Sequence, residues 1–169
     1  QSWLFRNPAG IEKYSNKIME KLRPKPDIKN GVEKTTAELR GKFKNIIGLH
    51  IRQGDYKTWR EGKYFVPQKR AGEIAGEYLN ETGLNSAETC FVVTSDEKIN
   101  PEIFSGLNTH ISKGNAVHDL FFLSGTDAII GSDSTFGAFA SYLGNIPFIV
   151  MQGGAIDWAN HSNQKGRAI

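Results

Sequence analysis

Short apolar runs alternate with helical patterns between residues 46 and 150, and this alternation constrains the fold more than any other feature. The runs are rich in Val, Ile and Phe, which is typical of strands buried on both faces. They cover residues 46–51, 91–94, 109–111, 128–130 and 148–150, and helical spacing of apolar residues fills most of the intervals. The pattern predicts an α/β domain with a Rossmann-like parallel sheet and helices on both faces.

The residues before the alternation predict less structure. Apolar positions at helical spacing predict a helix over residues 8–22, which should end at the sequence Arg23-Pro24-Lys25-Pro26. From there to residue 44 the chain is polar, and we expect a connector with a short helix near Thr36. The predicted organisation is therefore an N-terminal helix and connector over residues 1–44, followed by one ligand-binding domain over residues 45–169.

Charge and composition exclude several classes of function. Acidic and basic residues interleave along a chain of net charge +3, so no basic surface for nucleic acid is expected. The single cysteine, Cys90, lies in an apolar run, which predicts a buried thiol and excludes a disulfide framework. We expect no membrane span, because no run of about eighteen apolar residues occurs, and a cytoplasmic location. The chain begins without Met, so we expect a fragment of a longer protein.

In parallel sheets of this kind, ligands bind beyond the carboxyl ends of the strands. The first predicted strand ends in His50-Ile51-Arg52-Gln53-Gly54-Asp55. The Arg52 guanidinium offers a planar set of donors that suits phosphate oxygens, and Gly54 would let the backbone approach a ligand closely. An ion pair between Arg52 and Asp55 that closes the loop is the alternative. His50 alone is more often a hydrogen-bonded core residue than a catalyst.

The second predicted strand is followed by Asp96 and Glu97. Carboxylates at this position often accept hydrogen bonds from a ribose or a base. Asp96 could equally cap the short helix that follows it. The sequence leaves both interpretations open.

The turn over residues 131–137 follows the strand over residues 128–130 and contains Ser132, Ser134 and Thr135. Hydroxyl groups and free backbone N–H groups at a helix N-terminus can hold a phosphate. Simple capping by Ser134 is the alternative. Together with the guanidinium on the first strand, the turn predicts a diphosphate site.

Several other ligand sites lack their motif in this sequence. Neither a G-x-x-x-x-G-K-[ST] loop nor a G-x-G-x-x-G turn is present, and the order His50-x-Arg52 does not fit a histidine phosphatase. No Asp-x-Asp pair is available to hold a metal against a sugar diphosphate. We therefore expect no metal site, with positive groups neutralising the diphosphate instead.

With these residues in place, the chain resembles the C-terminal half of GT-B glycosyltransferases. In particular, it is similar to the α-1,2-fucosyltransferase family and its α-1,6 and protein O-fucosyltransferase relatives. The family motif His-x-Arg-Arg-Gly-Asp-Tyr matches residues 50–56 except at Gln53, and a strand ending in Ser-Asp-Asp matches residues 95–97. A stretch like Asp-Leu-Tyr-Leu-Met-Ser matches residues 119–124, and a Ser-Ser-Phe turn follows. The resemblance covers roughly residues 46–150.

The resemblance implies a donor-binding domain that takes GDP-fucose, needs no further cofactor or metal, and transfers fucose to a glycan hydroxyl with inversion. Arg52 would then bind the diphosphate, Asp96 the guanosine, and Ser134, Thr135 and Phe136 the β-phosphate. His50 and Asp55 would shape the donor loop or lie near the fucosyl group.

The sequence departs from the family pattern at two places. Gln53 replaces the second Arg of the motif, and the turn lacks the paired Trp. A general base is not identified, and Asp55 and Glu61 are candidates by location only. The acceptor-binding domain is expected to be missing from this chain, so the alternative is a nucleotide or nucleotide-sugar binding module without catalysis.

Overall fold

The computed structural model describes residues 8–151, 153–156 and 158. Within these residues, five α-helices and five strands form the fold, with short 3₁₀ helices in the loops. In chain order the elements are α1 (Pro8–Lys21), α2 (Pro26–Arg40), β1 (Asn45–Ile51), α3 (Gln68–Thr82), β2 (Thr89–Ser95), β3 (Thr109–Ile111), α4 (Ala116–Ser124), β4 (Ala128–Ser132), α5 (Thr135–Gly144) and β5 (Phe148–Met151).

The five strands form one sheet in the order β3-β2-β1-β4-β5, and every neighbouring pair is parallel. The prediction of a Rossmann-like α/β fold is thus confirmed. The chain begins the sheet at the central strand β1 and adds β2 and β3 on one side of it. It then crosses to the other side of β1 and adds β4 and β5. This reversal creates a crevice at the carboxyl ends of β1 and β4, where ligands bind in such sheets.

Successive side chains of β1 point to opposite faces of the sheet and so contribute to both cores. Ile47, Leu49 and Ile51 are buried in a core that they share with α3. Ile46 points to the opposite face and packs in a second core with residues of α2 and α4. His50 has the same parity as Ile46, which places its ring on the face that α4 and α5 cover.

The connector predicted between residues 23 and 44 is wrong for most of its length. The structure has a fifteen-residue helix, α2, in which Pro26 occupies the first turn and Asp27 adds a favourable charge there. Val32 and Leu39 are buried against Ile46 of the sheet. Burial of these apolar side chains overcomes the low helix propensity of Gly31 and the neighbouring threonines. The polar composition of the segment had instead indicated a connector.

The other predicted elements are present with small shifts of their ends. α1 stops at Lys21 before the Pro-rich segment, and Pro101–Phe104 forms a 3₁₀ helix. Cys90 is buried as expected, and burial raises the pKa of its thiol to about 11. Within the described ranges, no helix combines the length and the apolar character that crossing a bilayer requires.

Candidate functional site

The carboxyl ends of three strands are tied together by hydrogen bonds that cross between them. The backbone N–H of Arg52, just after β1, donates to the Ser132 hydroxyl at the end of β4 over 2.9 Å. The Ser95 hydroxyl at the end of β2 donates to the Ile51 carbonyl over 2.7 Å. The structure therefore brings the residues predicted after these strands to one edge of the sheet.

The Arg52 guanidinium lies between two carboxylates. Its Nη2 atom is 2.8 Å from Asp55 Oδ1, and its Nη1 atom is 3.0 Å from Asp96 Oδ2. The pair of Arg52 and Asp55 that was the alternative to phosphate binding is thus present. The Asp55 side chain is 59% exposed, so that pair adds little stability and can open. A guanidinium has five N–H groups, which leaves donor capacity for an anion beside these contacts.

Asp96 organises the loop after β1. Its Oδ1 atom accepts the backbone N–H of Gln53 over 2.7 Å. It does not cap the following 3₁₀ helix, because the Asn100 side chain does so by accepting the N–H of Glu102. Gly54 allows this arrangement, since a Cβ atom there would lie 2.7 Å from Asp96 Oδ2. A ligand that contacts Asp96 would therefore meet a carboxylate that already orients Arg52 and the loop.

His50 is buried between the strand ends and α5. Its Nδ1 atom lies 3.0 Å from Thr94 Oγ1, and its ring centroid lies 4.7 Å from that of Phe136. Burial lowers the pKa of His50 to about 4, an effect that the charge of Arg52 reinforces and that of Asp96 opposes. The ring is therefore neutral at physiological pH and is not preset to act as an acid.

The turn after β4 is built as a helix N-terminus. Ser134 caps α5, with its hydroxyl accepting the N–H of Gly137 over 3.4 Å. Thr135 is exposed and Phe136 half-buried, whereas Ser132 is completely buried and engaged with the Arg52 backbone. Ser132 therefore links β1 to β4, and the open part of the turn begins at Ser134.

Two residues for which no role was predicted stabilise the loop between β1 and α3. Gln53 is buried, and its Nε2 atom donates to the Val66 carbonyl over 2.8 Å. The Tyr56 hydroxyl donates to the Asp133 carbonyl over 2.7 Å, which ties the loop to the turn before α5. In the sequence Gln53 was notable only as a departure from the family motif. No local sequence pattern indicates that its side chain is buried.

The charge balance around the strand ends is acidic. Lys57 pairs with Glu97 over 2.6 Å, and Glu61 is exposed in a left-handed backbone conformation. Asp55 and Asp96 flank the Arg52 guanidinium, so an anionic ligand relies on Arg52 and on the α5 N-terminus rather than on a basic surface. No group of three or more metal-ligating side chains occurs among the residues that the structure describes.

The fold is similar to that of solved fucosyltransferase structures. POFUT1 in complex with GDP-fucose is 14% identical, with a TM-score of 0.58 over 76% of this chain and 47% of that chain. POFUT1 in its apo form gives 13% identity and a TM-score of 0.52, over 75% and 46% of the two chains. NodZ α-1,6-fucosyltransferase soaked with GDP-fucose gives 15% identity and a TM-score of 0.50, over 83% and 48%.

No protein-family model matches the chain, and no curated protein matches it in sequence. The chain spans about half the length of the solved structures that it resembles. The chain thus has a fucosyltransferase-like, Rossmann-like fold that corresponds to part of those enzymes.

Proposed function

We propose that this chain is the donor-binding domain of a glycosyltransferase, which takes GDP-fucose or a related GDP-sugar and serves fucosyl transfer to a glycan hydroxyl. The observation that carries the proposal is the hydrogen bond from the Arg52 backbone N–H to Ser132, because it puts Arg52 and the turn that leads into α5 at the same switch point between β1 and β4. The fold is similar to structures solved with GDP-fucose. This is the edge where parallel sheets bind nucleotides.

Each part of the site has a role in the proposed complex. The diphosphate lies between the Arg52 guanidinium and the open N–H groups after Ser134, which together neutralise its charge without a metal. Asp96 orients the loop and Arg52, and the guanosine lies on the same side of the site. Binding of the diphosphate displaces the exposed Asp55 carboxylate from Arg52.

The proposed reaction is a direct displacement at the anomeric carbon. An acceptor hydroxyl forms the new C–O bond as the bond to the GDP oxygen breaks, with inversion, and the hydroxyl proton passes to a base. Arg52 and the helix N-terminus stabilise the negative charge that develops on the leaving diphosphate. Asp55 and Glu61 are the candidates for the base, both exposed in the loop after β1.

A second candidate function is a nucleotide-sugar binding module without turnover. It is favoured by Gln53, which stands where the family motif has a second Arg and is buried against the Val66 carbonyl, so that Arg52 is the single guanidinium of the motif. Donor hydrolysis or fucosyl transfer to an added glycan separates the two candidates, because both require the donor site but only an enzyme turns over.

Calorimetric titration with GDP, GDP-fucose and GDP-mannose tests the donor site. We expect Arg52→Ala to weaken GDP binding by about 30- to 100-fold, which corresponds to the loss of one charged hydrogen bond of about 2–3 kcal/mol. Arg52→Lys should recover only part of this loss, because an ammonium lacks the planar fork.

Arg40→Ala is the matched control. Arg40 makes a bidentate pair with Asp127 over 2.7 and 2.6 Å, and its side chain is 36% exposed compared with 37% for Arg52. This pair lies at the amino ends of β1 and β4, opposite the carboxyl ends that form the proposed site. The variant should therefore bind GDP normally. Absence of GDP binding in the wild type, or equal loss in both variants, would rule out the proposed site.

A further inference from the structure

Thr94 and His50 form a buried pair on neighbouring strands at the carboxyl edge of the sheet. The register places His50 of β1 opposite Thr94 of β2, and the two side chains meet at 3.0 Å through Nδ1 and Oγ1. Both residues are at least 95% buried. The second ring nitrogen, Nε2, makes no hydrogen bond with the described part of the chain.

This pair contains one donor too many in either tautomer of a neutral ring. If the hydrogen is on Nδ1, it donates to Thr94, and the threonine hydroxyl hydrogen then has no acceptor among the described residues. If the hydrogen is on Nε2, the Thr94 hydroxyl donates to Nδ1 and the buried Nε2–H lacks an acceptor. A buried donor without a partner is costly. In the Nε2–H tautomer, which lets the Thr94 hydroxyl donate to Nδ1, an acceptor oxygen beside Nε2 would remove this cost.

The surroundings of the ring indicate where that oxygen comes from. The imidazole packs against Phe136 in the first turn of α5, at 4.7 Å between ring centroids. The same turn presents the N-terminus that Ser134 caps. A phosphate bound at this helix end would lie on the Phe136 side of the His50 ring, and the half-buried Phe136 ring would have to move aside for a phosphate oxygen to reach Nε2.

We propose that Thr94 is a positioning residue that holds His50 in the Nε2–H tautomer, so that the neutral imidazole donates a hydrogen bond to an oxygen of a bound phosphate group. The inference rests on the proposed function, since it needs a nucleotide diphosphate at this edge. It adds a neutral donor to the site, beside the charged donors of Arg52. The low pKa of His50 is consistent with this role, because a protonated ring could not accept the hydrogen bond from Thr94.

The test compares Thr94→Val and Thr94→Ser with Thr89→Val. Thr89 is equally buried and lies at the opposite end of β2, so its variant reports the cost of losing a threonine hydroxyl without touching His50. Binding of GDP and of pyrophosphate is measured by calorimetry. The tautomer of His50 is measured by nitrogen-15 NMR, with its signal assigned among the four histidines by His50→Gln.

We expect the wild-type complex with GDP to show His50 protonated at Nε2. Thr94→Val should weaken GDP binding by about tenfold and populate the other tautomer. Thr94→Ser should restore both, and Thr89→Val should leave both unchanged. If GDP binds and Thr94→Val has normal affinity, or if the complex shows Nδ1–H, the inference is wrong while the proposed function stands.

Two other outcomes are informative. If neither GDP nor pyrophosphate binds the wild type, the inference and the proposed function are both wrong. If the His50 signals do not change on addition of a GDP that binds, Nε2 is already satisfied by water and the inference is overturned. This last measurement needs no Thr94 variant, so it tests the inference even if Thr94→Val does not fold.

Discussion

The carboxylate of Asp96 accepts the backbone N–H of Gln53 over 2.7 Å, so the residue after β2 fixes the course of the chain after β1. The other oxygen of the same carboxylate lies 3.0 Å from Arg52 Nη1. Asp96 thus positions both the loop backbone and the guanidinium that the proposed donor site requires. The hydrogen bond to Gln53 contributes to stability, whereas the charge orients Arg52, and substitutions of Asp96 can separate these two effects.

We predict different outcomes for two substitutions of Asp96. Asp96→Ala removes the acceptor for Gln53 N–H and should lower the free energy of unfolding by about 1–2 kcal/mol. For a chain of 169 residues that corresponds to a fall in Tm of roughly 2–8 °C. Asp96→Asn keeps an acceptor oxygen and should lose less than half as much. Thermal unfolding by circular dichroism measures both.

Binding assays on the same variants test the positioning role. Asp96→Ala should weaken GDP binding, because Arg52 loses the partner that orients it. If Asp96→Asn and Asp96→Ala were equally unstable, the hydrogen bond to Gln53 would not be the stabilising interaction.

A second prediction concerns the space at Gly54. A Cβ atom on this residue would lie 2.7 Å from Asp96 Oδ2, and real Cβ atoms do not approach so closely. Gly54→Ala should therefore push Asp96 away, destabilise the chain by about 1–3 kcal/mol, and weaken GDP binding. Chemical unfolding and calorimetry measure the two effects.

Gly76→Ala is the control for this substitution. Gly76 lies within α3, where a Cβ atom would have nothing within 4 Å. Alanine has the higher helix propensity, so this variant should gain about 0.5–1 kcal/mol and bind GDP normally. A stable Gly54→Ala variant with normal affinity would mean that Asp96 can move without consequence.

The parallel sheet was predictable because its strands are short continuous apolar runs with helical patterns between them. That pattern also placed Arg52, Asp96 and Ser134 at one edge, since parallel strands share the direction of their carboxyl ends. The helix α2 was missed because its apolar stripe is sparse. Val32 and Leu39 are enough only because the sheet supplies the surface that buries them.

The internal links of the site could not be predicted from local pattern. Which carboxylate reaches Gln53 N–H, and which hydroxyl meets the Arg52 backbone, depends on the register between strands that are distant in sequence. The pairing of His50 with Thr94 has the same origin. A sequence indicates which groups lie near a strand end, but the register decides which of them touch.

The buried histidine gives a third prediction, on pH. The folded-state pKa of His50 is lowered from 6.5 to about 4 by burial, so the unfolded chain binds the proton more tightly between these values. The free energy of unfolding should therefore fall as pH falls from 6.5 towards 4, by about 3 kcal/mol for this group. His50→Gln should remove that part of the pH dependence.

Urea unfolding of both proteins at several pH values from 7 to 4 makes the comparison. His110, whose pKa burial also lowers, is present in both proteins, so its contribution cancels in the difference. Parallel stability curves for the wild type and the His50→Gln variant would mean that His50 is readily protonated in the folded state. That result would contradict its description as a neutral buried group.

The last prediction separates the two roles of Ser134, which caps α5 and is proposed to lie against a phosphate. Asp is as good an N-cap as Ser, so Ser134→Asp should change the free energy of unfolding by less than about 0.5 kcal/mol. Its negative charge should repel a diphosphate and weaken GDP binding by at least about 30-fold. Asn115→Asp makes the same kind of change at the cap of α4, and it should leave GDP affinity unchanged. Equal GDP affinity of the Ser134→Asp variant and the wild type would show that the α5 N-terminus is only capped and that the diphosphate, if it binds, lies elsewhere.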